Sequence, residues 1–558
     1  MDISIRVAGE AGQGVQSAGN LLVGALASAG FHVFTAKSYM SRIRGGLNWF
    51  DIRIGNRELF APKEKADLLV ALTREAFEIL GRETSDGLIL LDSHEAQGAY
   101  AIPFTQTAKE IGNAIMANSV AAGAVLAVLG LDNKHLMEYL RKQFHDKPAE
   151  VVEQNIAAAG AGEKLAQSCA GRLPAAPEGA WDSVYAGADA IGLGAATAGV
   201  KFVTAYPMTP STATLNFLAE SADRYGILVE QAEDEIAAIN MVCGSTYAGA
   251  PSLTVTSGGG FALMVEGISL AGMLELPVVI LLAQRPGPAT GLPTRTAQGD
   301  LNMAIHAGHG EFPKMVFAPG THQECYAITR HAVMMAHKYQ TPVIILTDQF
   351  LQDAEKNIRP LSEELKPVDC FLSAGGREYA RYALSPDGIS PRAVPGGEAL
   401  VVVDSDEHDQ CGHISEDLAH DHLPQHDKRM RKMIGLTAES FAPSILGPPG
   451  APNLMICWGS SYGPCREAVE MLNADDNIWT LLHFSQVWPL NEDAARQAIG
   501  ERSRVIIVEG NSTAQFASLL RQLGLVGPCE ACLRYDGLPL TADYVVDKVS
   551  KPGNSGAA

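Results

Sequence analysis

Short apolar runs of strand length recur along this chain, and most of them empty into a loop rich in glycine, proline or hydroxyl residues. The clearest span 202–205, 252–256, 276–283, 342–347, 453–461, 479–482 and 504–509. They are continuous rather than alternating in character, which is how strands buried on both faces read, and such strands belong to parallel sheets covered by helices. The sequence therefore predicts an α/β protein in which strand and helix alternate. In that architecture, ligand-binding groups gather in the loops at the carboxyl ends of the strands.

A chain of 558 residues exceeds what one hydrophobic core serves, so three or four domains are expected. Residues 1–170 open with strand, glycine turn and helix, the start of a doubly wound domain. The stretch 171–181 is rich in Gly, Pro and Ala and reads as a linker. A second α/β domain follows at 182–370, and 371–450, with many Gly, Pro, His and Asp residues, reads as an irregular insertion. A third α/β domain occupies 451–552, and 553–558 reads as a disordered tail.

Charge and composition narrow the function. Forty-two basic against 63 acidic residues give a net charge of −21, which argues against nucleic acid or an anionic membrane as partner. The amino terminus, Met-Asp-Ile-Ser-Ile-Arg-Val, reads as a strand rather than a secretion signal. The apolar region 263–283 is interrupted by Glu266, Glu275 and Pro277, so no membrane span is expected and the location inferred is cytoplasmic. Of nine cysteines only Cys529 and Cys532 stand close, and no iron–sulfur spacing occurs. That pair reads as ordinary cysteines of a reducing compartment, with a redox dithiol or half a metal site as the alternatives. His408, His413, His420, His422 and His426 fit no tetrahedral zinc spacing, and no metal is expected on this chain.

Several residues have the chemistry of a site. In the first turn the glycines stand as G-x-x-G-x-G, which misses the dinucleotide fingerprint but leaves bare amides at Gly12 and Gly14 where an anion can sit. Arg42 and Arg44, just before Gly45-Gly46, suit a phosphate or are simply solvated. In the second domain, Pro207 and Pro210 restrict the loop Tyr206-Pro207-Met208-Thr209-Pro210-Ser211 and hold the Thr209 hydroxyl in place. That hydroxyl can meet a carboxylate or carbonyl, or cap the next helix, a role equally open to Ser211. Glu235 opens the apolar run Ile236-Ala237-Ala238-Ile239, where desolvation favours a protonated acid. The plainer reading is an acid favoured by the dipole of a helix first turn. Ser257-Gly258-Gly259-Gly260 lets a ring or backbone approach closely. Arg285, at the same edge, can pair bidentately with a carboxylate. Arg295 can bind a second carboxylate or pair locally with Asp300.

Taken in order, Tyr206 to Ser211, the Glu-x-Glu-Ile-Ala-Ala-Ile run from Glu233, Thr256 to Gly260, Ala283-Gln284-Arg285-Pro286 and Gly291-Leu292-Pro293-Thr294-Arg295-Thr296 resemble the alpha subunit of 2-oxoacid:ferredoxin oxidoreductases. The resemblance extends over nearly the whole chain, with a segment similar to the family's gamma subunit fused ahead. Arg44-Gly45-Gly46 matches that gamma module's Arg-Gly-Gly motif. It implies a gamma-type domain at 1–170 that handles coenzyme A, a thiamine-diphosphate pyrimidine-binding domain at 182–370, and a transketolase C-terminal-like domain at 451–552 that includes Val508-Glu509-Gly510-Asn511.

Residue roles follow from the same resemblance. Glu235 donates to the aminopyrimidine nitrogen of thiamine diphosphate and sets its imino tautomer, with Tyr206, Pro207, Met208, Ser257 and Gly258 around the cofactor. Thr209 and Arg285 hold the substrate's 1-carboxylate, Arg295 the distal carboxylate, and Gly12, Gly14, Arg42 and Arg44 coenzyme A. The implied reaction converts 2-oxoglutarate, coenzyme A and oxidised ferredoxin to succinyl-CoA, carbon dioxide and reduced ferredoxin. It is reversible, the reductive direction being the one that serves carbon fixation in a reductive TCA cycle. Pyruvate or branched and aromatic 2-oxoacids are alternative substrates. A ferredoxin-independent thiamine decarboxylase or ligase and a noncatalytic scaffold are alternative functions. No Gly-Asp-Gly turn occurs, and Gly299-Asp300-Leu301 lacks the second glycine. Pyrophosphate, Mg2+ and a [4Fe-4S] cluster are accordingly expected on a beta subunit, in a dimer of alpha–beta heterodimers. The net charge of −21 repels an acidic ferredoxin, so a different subunit is expected to present the docking surface.

Overall fold

A computed structural model describes residues 1–41, 45–85, 87–181, 183–474, 478–550 and 556–557. The tail read as disordered falls largely outside them. The chain divides into two units.

The first unit comprises Met1–Ala186, Ala354–Pro360 and Thr541–Tyr544. Its sheet runs in the order Tyr100–Ala101, Ile89–Leu91, Leu68–Ala71, Asp2–Glu10, Leu47–Gly55, His32–Ser38, Glu355–Asn357, Val184–Ala186. From Asp2–Glu10 to one edge the strands are parallel, as the doubly wound opening leads one to expect. Towards the other edge they are antiparallel. The opening Ile-Ser-Ile-Arg-Val looks half polar, yet its polar members are also buried. Arg6 forks onto its cross-strand partner Asp51 at 2.6 and 3.0 Å, so both buried charges are satisfied. Two short strands outside residues 1–170, Val184–Ala186 and Glu355–Asn357, complete the sheet.

The second unit comprises Gly187–Asp353, Leu361–Leu540 and Val545–Ala558. Its first sheet has the order Gln486–Trp488, Met315–Phe317, Val343–Asp348, Val279–Gln284, Ser252–Thr256, Phe202–Ala205, Leu228–Gln231. All neighbours are parallel except the outer pair formed with Gln486–Trp488. The central strands are buried end to end, which explains their uninterrupted apolar sequences. The second sheet is built on parallel strands Trp479–Phe484, Asn453–Trp458, Arg504–Glu509 and Glu530–Leu533. One apolar cluster runs through both sheets, with Ile344 and Leu346 from the first and Ile456 and Leu482 from the second. Glu509 is fully buried there and accepts from the Phe516 and Ala517 amides (2.9 and 3.0 Å), which caps helix Gln515–Gln522.

Segment 371–450, irregular by sequence, is anchored by buried charge. Helix Leu423–Ala438 presents Lys428 and Lys432, four residues apart, to the two carboxylate oxygens of Glu275 at 2.7 and 2.6 Å. Arg381 adds bonds to the Leu274 and Glu275 carbonyls (3.2 and 2.8 Å). Burial works to raise the Glu275 carboxyl, but Lys432, Lys428 and Arg381 together hold it below the ordinary carboxylate range. The histidines nearby face acids: His420 pairs with Asp417 at 3.0 Å, and His422 with Glu407 at 2.8 Å. Among the described residues no group of three or more His, Cys, Asp or Glu is placed to hold a metal ion, and no helix is long and apolar enough to cross a membrane.

Candidate active site

The strands of the second unit's first sheet end along one edge, and the sequence delivers its polar residues there. Phe202–Ala205 leads into the Tyr206–Ser211 loop, Ser252–Thr256 into Ser257, and Val279–Gln284 into Arg285. Leu228–Gln231 leads within a few residues to helix Glu235–Tyr247.

Asp234 is the helix cap, accepting the Ala237 amide at 2.7 Å, and Glu235 follows in the first turn, where the helix dipole favours an acid. Glu235 is also buried, 3% exposed, and among the described residues its Oε1 has no hydrogen-bond partner. It faces the first turn of helix Gly258–Met273. A Cβ on Gly260 would fall onto Glu235 Oε1 and Thr256 Oγ1, and 2.7 Å from Glu235 Cγ. Only glycine allows this approach.

Two further oxygens without partners flank the same turn. Ser257 occupies the cap position, yet its buried hydroxyl neither caps the helix nor bonds elsewhere. Asp300 Oδ2 is also without a partner and lies 2.6 Å from where a Gly258 Cβ would stand. Each such buried group costs about 1–3 kcal/mol if nothing meets it. The Glu235 carboxylate and the Ser257 hydroxyl beside a glycine-lined surface fit a flat, nitrogen-bearing ring with donors of its own, so the aminopyrimidine of thiamine diphosphate suits this cradle.

The Thr209 loop and Arg285 are brought together. Arg285 Nη1 donates to the Thr209 carbonyl at 2.6 Å. The Ser211 hydroxyl donates to the Met208 carbonyl at 2.7 Å and no side chain caps helix Thr212–Glu220, so neither hydroxyl of this loop serves as a cap. Tyr206 is exposed, whereas Pro207, Met208 and Thr209 are half-buried. Burial lowers the pKa of Arg285, and the charge of Asp300 opposes that shift.

Asp300 is the residue whose place the sequence leaves undecided. Its charge acts on Arg285, not as a local partner of Arg295. Burial pushes its carboxyl up to about 6, with Arg285 working the other way. Gln284 fixes its backbone, its Oε1 accepting the Asp300 amide at 2.9 Å while its Nε2 donates to the Thr347 carbonyl at 3.1 Å. Arg295 lies further along, its stem packed where a Gly537 Cβ would stand 3.2 Å away. The signal for Asp300 was its position just before the apolar helix Leu301–His306, at whose start its side chain makes no capping bond.

In the first unit, Gly14 has φ 80° and forms the start of helix Val15–Ser28, and a Cβ there would strike Asn118. Gly12 also has positive φ, 93°. Arg42 and Arg44 lie outside the described residues.

Comparison with known proteins finds relatives along nearly the whole chain. The family described as pyruvate flavodoxin/ferredoxin oxidoreductase, thiamine diP-binding, matches residues 193–428. The family described as pyruvate ferredoxin/flavodoxin oxidoreductase matches residues 4–165. The chain is 31% identical to a 2-oxoacid:ferredoxin oxidoreductase subunit alpha of Sulfolobus sp., over 99% of this chain and 97% of that one. It is 29% identical to the 2-oxoglutarate oxidoreductase subunit KorA of Mycobacterium tuberculosis, over 98% and 90%. Among solved structures, it matches a 2-oxoglutarate:ferredoxin oxidoreductase from Magnetococcus marinus, determined with 2-oxoglutarate, coenzyme A and succinyl-CoA bound. That match has a TM-score of 0.92 and 34% identity, covering 98% of this chain and 99% of that chain.

Proposed function

Since this chain belongs to the thiamine-diphosphate-dependent 2-oxoacid:ferredoxin oxidoreductases, as an alpha-subunit homologue carrying the gamma-type segment at its amino end, we propose that it selects a 2-oxoacid and activates the cofactor for 2-oxoglutarate oxidation to succinyl-CoA. The observation that carries this reading is the buried Glu235 carboxylate, with Oε1 open towards a glycine-lined turn at the sheet edge where Arg285 meets the Thr209 loop.

Thiamine diphosphate, when bound, supplies the carbanion chemistry that makes loss of carbon dioxide feasible. This chain's residues supply the rest of the environment. Glu235 holds a proton at Oε1 and exchanges it with a ring nitrogen, and its burial removes competing water. Gly258 and Gly260 leave room for the ring, and Ser257 offers a hydroxyl beside it. Tyr206, Pro207 and Met208 wall the loop side. Arg285, braced by the Thr209 carbonyl, takes the substrate's 1-carboxylate, with the Thr209 hydroxyl beside it. Arg295 takes the distal carboxylate of a 2-oxodicarboxylate. 2-Oxoglutarate is favoured by the names of relatives and by the ligands of the Magnetococcus marinus structure.

The lack of a Gly-Asp-Gly turn supports a beta subunit that provides Mg2+, pyrophosphate contacts and a [4Fe-4S] cluster, with ferredoxin as acceptor. Gly12 and Gly14, with Arg42 and Arg44 by sequence, serve coenzyme A. Coexpression with the neighbouring beta-type gene and measurement of viologen reduction tests the proposal. Reduction dependent on both 2-oxoglutarate and coenzyme A, with pyruvate poor, is expected. Preference for pyruvate overturns the substrate assignment. No reduction by a folded, cofactor- and cluster-loaded complex overturns the reading altogether.

A further inference from the structure

Resting on the reading of Arg285 as the carboxylate anchor, the geometry points to Asp300 as a positioning residue that couples 2-oxoacid binding to uptake of a proton. Asp300 lies against the first turn of helix Gly258–Met273, its backbone pinned by Gln284, the residue just before Arg285, and its Oδ2 buried without a partner among the described residues. Before substrate arrives, its charge balances the guanidinium. An incoming carboxylate brings a second anion to the same cation. Two anions sharing one cation in a desolvated pocket repel, and the cheapest relief is protonation of the carboxyl that is already buried. Burial has pushed that carboxyl up to about 6, so the proton is within reach near neutrality. Protonation also removes the uncompensated buried charge at Oδ2.

The groups around Asp300 leave it as the one suited to this role. Arg285 is the cation whose charge reaches it. Glu235 stands on the other side of the Gly258–Gly260 turn. Asp348, opposite Gln284 across the sheet, also titrates near 6, but the Ser460 hydroxyl and the Leu351 amide (3.0 Å) already engage it. From helix Gln515–Gln522 comes the neutral Gln515, donating to the Gly299 carbonyl at 2.8 Å and accepting the Asn302 amide at 3.0 Å. Glu509 is saturated by hydrogen bonds, and His306 on Asp300's own helix is exposed.

The test uses the assembled complex with 2-oxoglutarate. KM is expected to rise with pH above 6, by up to about tenfold per unit, and Asp300→Asn is expected to flatten that rise while the pH profile of kcat keeps its shape. Calorimetric binding of 2-hydroxyglutarate, an unreactive dicarboxylate analogue, in two buffers of different ionisation enthalpy counts protons without a variant. Uptake approaching one proton per site at pH 7 is expected. Zero uptake, or an Asp300→Asn complex with the wild-type KM profile, overturns the coupling. Activity with a pH-independent KM overturns this inference alone, whereas a complex that acts on no 2-oxoacid overturns it together with the proposed function.

Discussion

Gly260→Ala probes the working geometry of Glu235 without touching its chemistry. The added Cβ falls 2.7 Å from Glu235 Cγ and nearer still to Oε1 and Thr256 Oγ1. Carbon atoms in contact stand about 3.5–4.0 Å apart, so Glu235 must retreat by roughly 0.8–1.3 Å or the helix must shift as a body. Overpacking of this sort costs about 1–3 kcal/mol of stability, tolerable in a chain with cores this extensive. At a reacting group, a misplacement of about 1 Å costs on the order of 10²-fold in rate. The expected result is therefore a complex that assembles and binds 2-oxoacid normally while kcat falls about a hundredfold. The assay is viologen reduction by the purified complex, with thiamine diphosphate content measured on the same sample. Gly259→Ala is the control for stability. A Cβ there meets only the Ala289 carbonyl at 4.0 Å, and replacing a helical glycine by alanine gains up to about 1 kcal/mol. Its thermal midpoint should equal or exceed that of the wild type. Wild-type kcat in Gly260→Ala would show that the Glu235 position is not what limits turnover.

Further outcomes follow from the same contacts. Glu235→Gln keeps the shape but cannot exchange a proton, so kcat should drop by about 10²–10⁴-fold with assembly intact, and near-normal turnover removes Glu235 from the mechanism. Arg285→Ala loses a charged hydrogen bond worth about 1.5–3 kcal/mol, so KM for the 2-oxoacid should rise by about 10–150-fold; an unchanged KM assigns the carboxylate to another residue. Lys432→Met strands part of the buried Glu275 charge and should destabilise the second unit by about 3–5 kcal/mol, seen as a lower denaturant midpoint. His337 is buried, which together with the Arg392 cation beside it pushes its pKa down to about 3. Its unfolded form binds a proton below about 6.5, so the stability it contributes is whole above that pH and is lost as pH falls towards 3; His337→Gln should shallow the acid-side loss in a denaturation series.

The sequence exposed the elements whose physics is local. Strands such as Val279–Gln284 and Val343–Asp348 lie inside a covered parallel sheet, and their unbroken apolar sequences are the direct trace of burial on both faces. The loops at their ends were legible for the same reason. What escaped was set by tertiary partners. Segment 371–450 has the composition of a solvated loop because Arg381, Lys428 and Lys432 are charged, and nothing local announces that they converge on one buried Glu275. Val184–Ala186 and Glu355–Asn357 are three residues each, too short to carry a pattern, and owe their strand conformation to each other and to His32–Ser38. Asp300 could be seen near two arginines in the chain, but which one it faces depends on Gln284 holding its amide.

The first turn of helix Gly258–Met273 separates two carboxylates, and on the proposed reading that separation lets one site handle both a cofactor ring and an anion. Glu235 lies against Gly260 with its Oε1 unpartnered among the described residues, and its helix is capped by Asp234. Asp300 lies against Gly258 with its charge directed at Arg285. Exchange the two surroundings and neither role survives: an acid beside the Arg285 charge holds a proton less firmly for a ring nitrogen, and an arginine without a nearby carboxylate has no group that takes up a proton when an anion binds. The glycines make the arrangement possible, since a side chain at position 258 or 260 would displace one carboxylate or the other. On this argument, single alanine replacements at the two glycines should fail differently, Gly260→Ala in kcat and Gly258→Ala in the KM for the 2-oxoacid. Identical defects in both variants would mean that the turn acts as one rigid block and that the division of labour between the carboxylates is wrong.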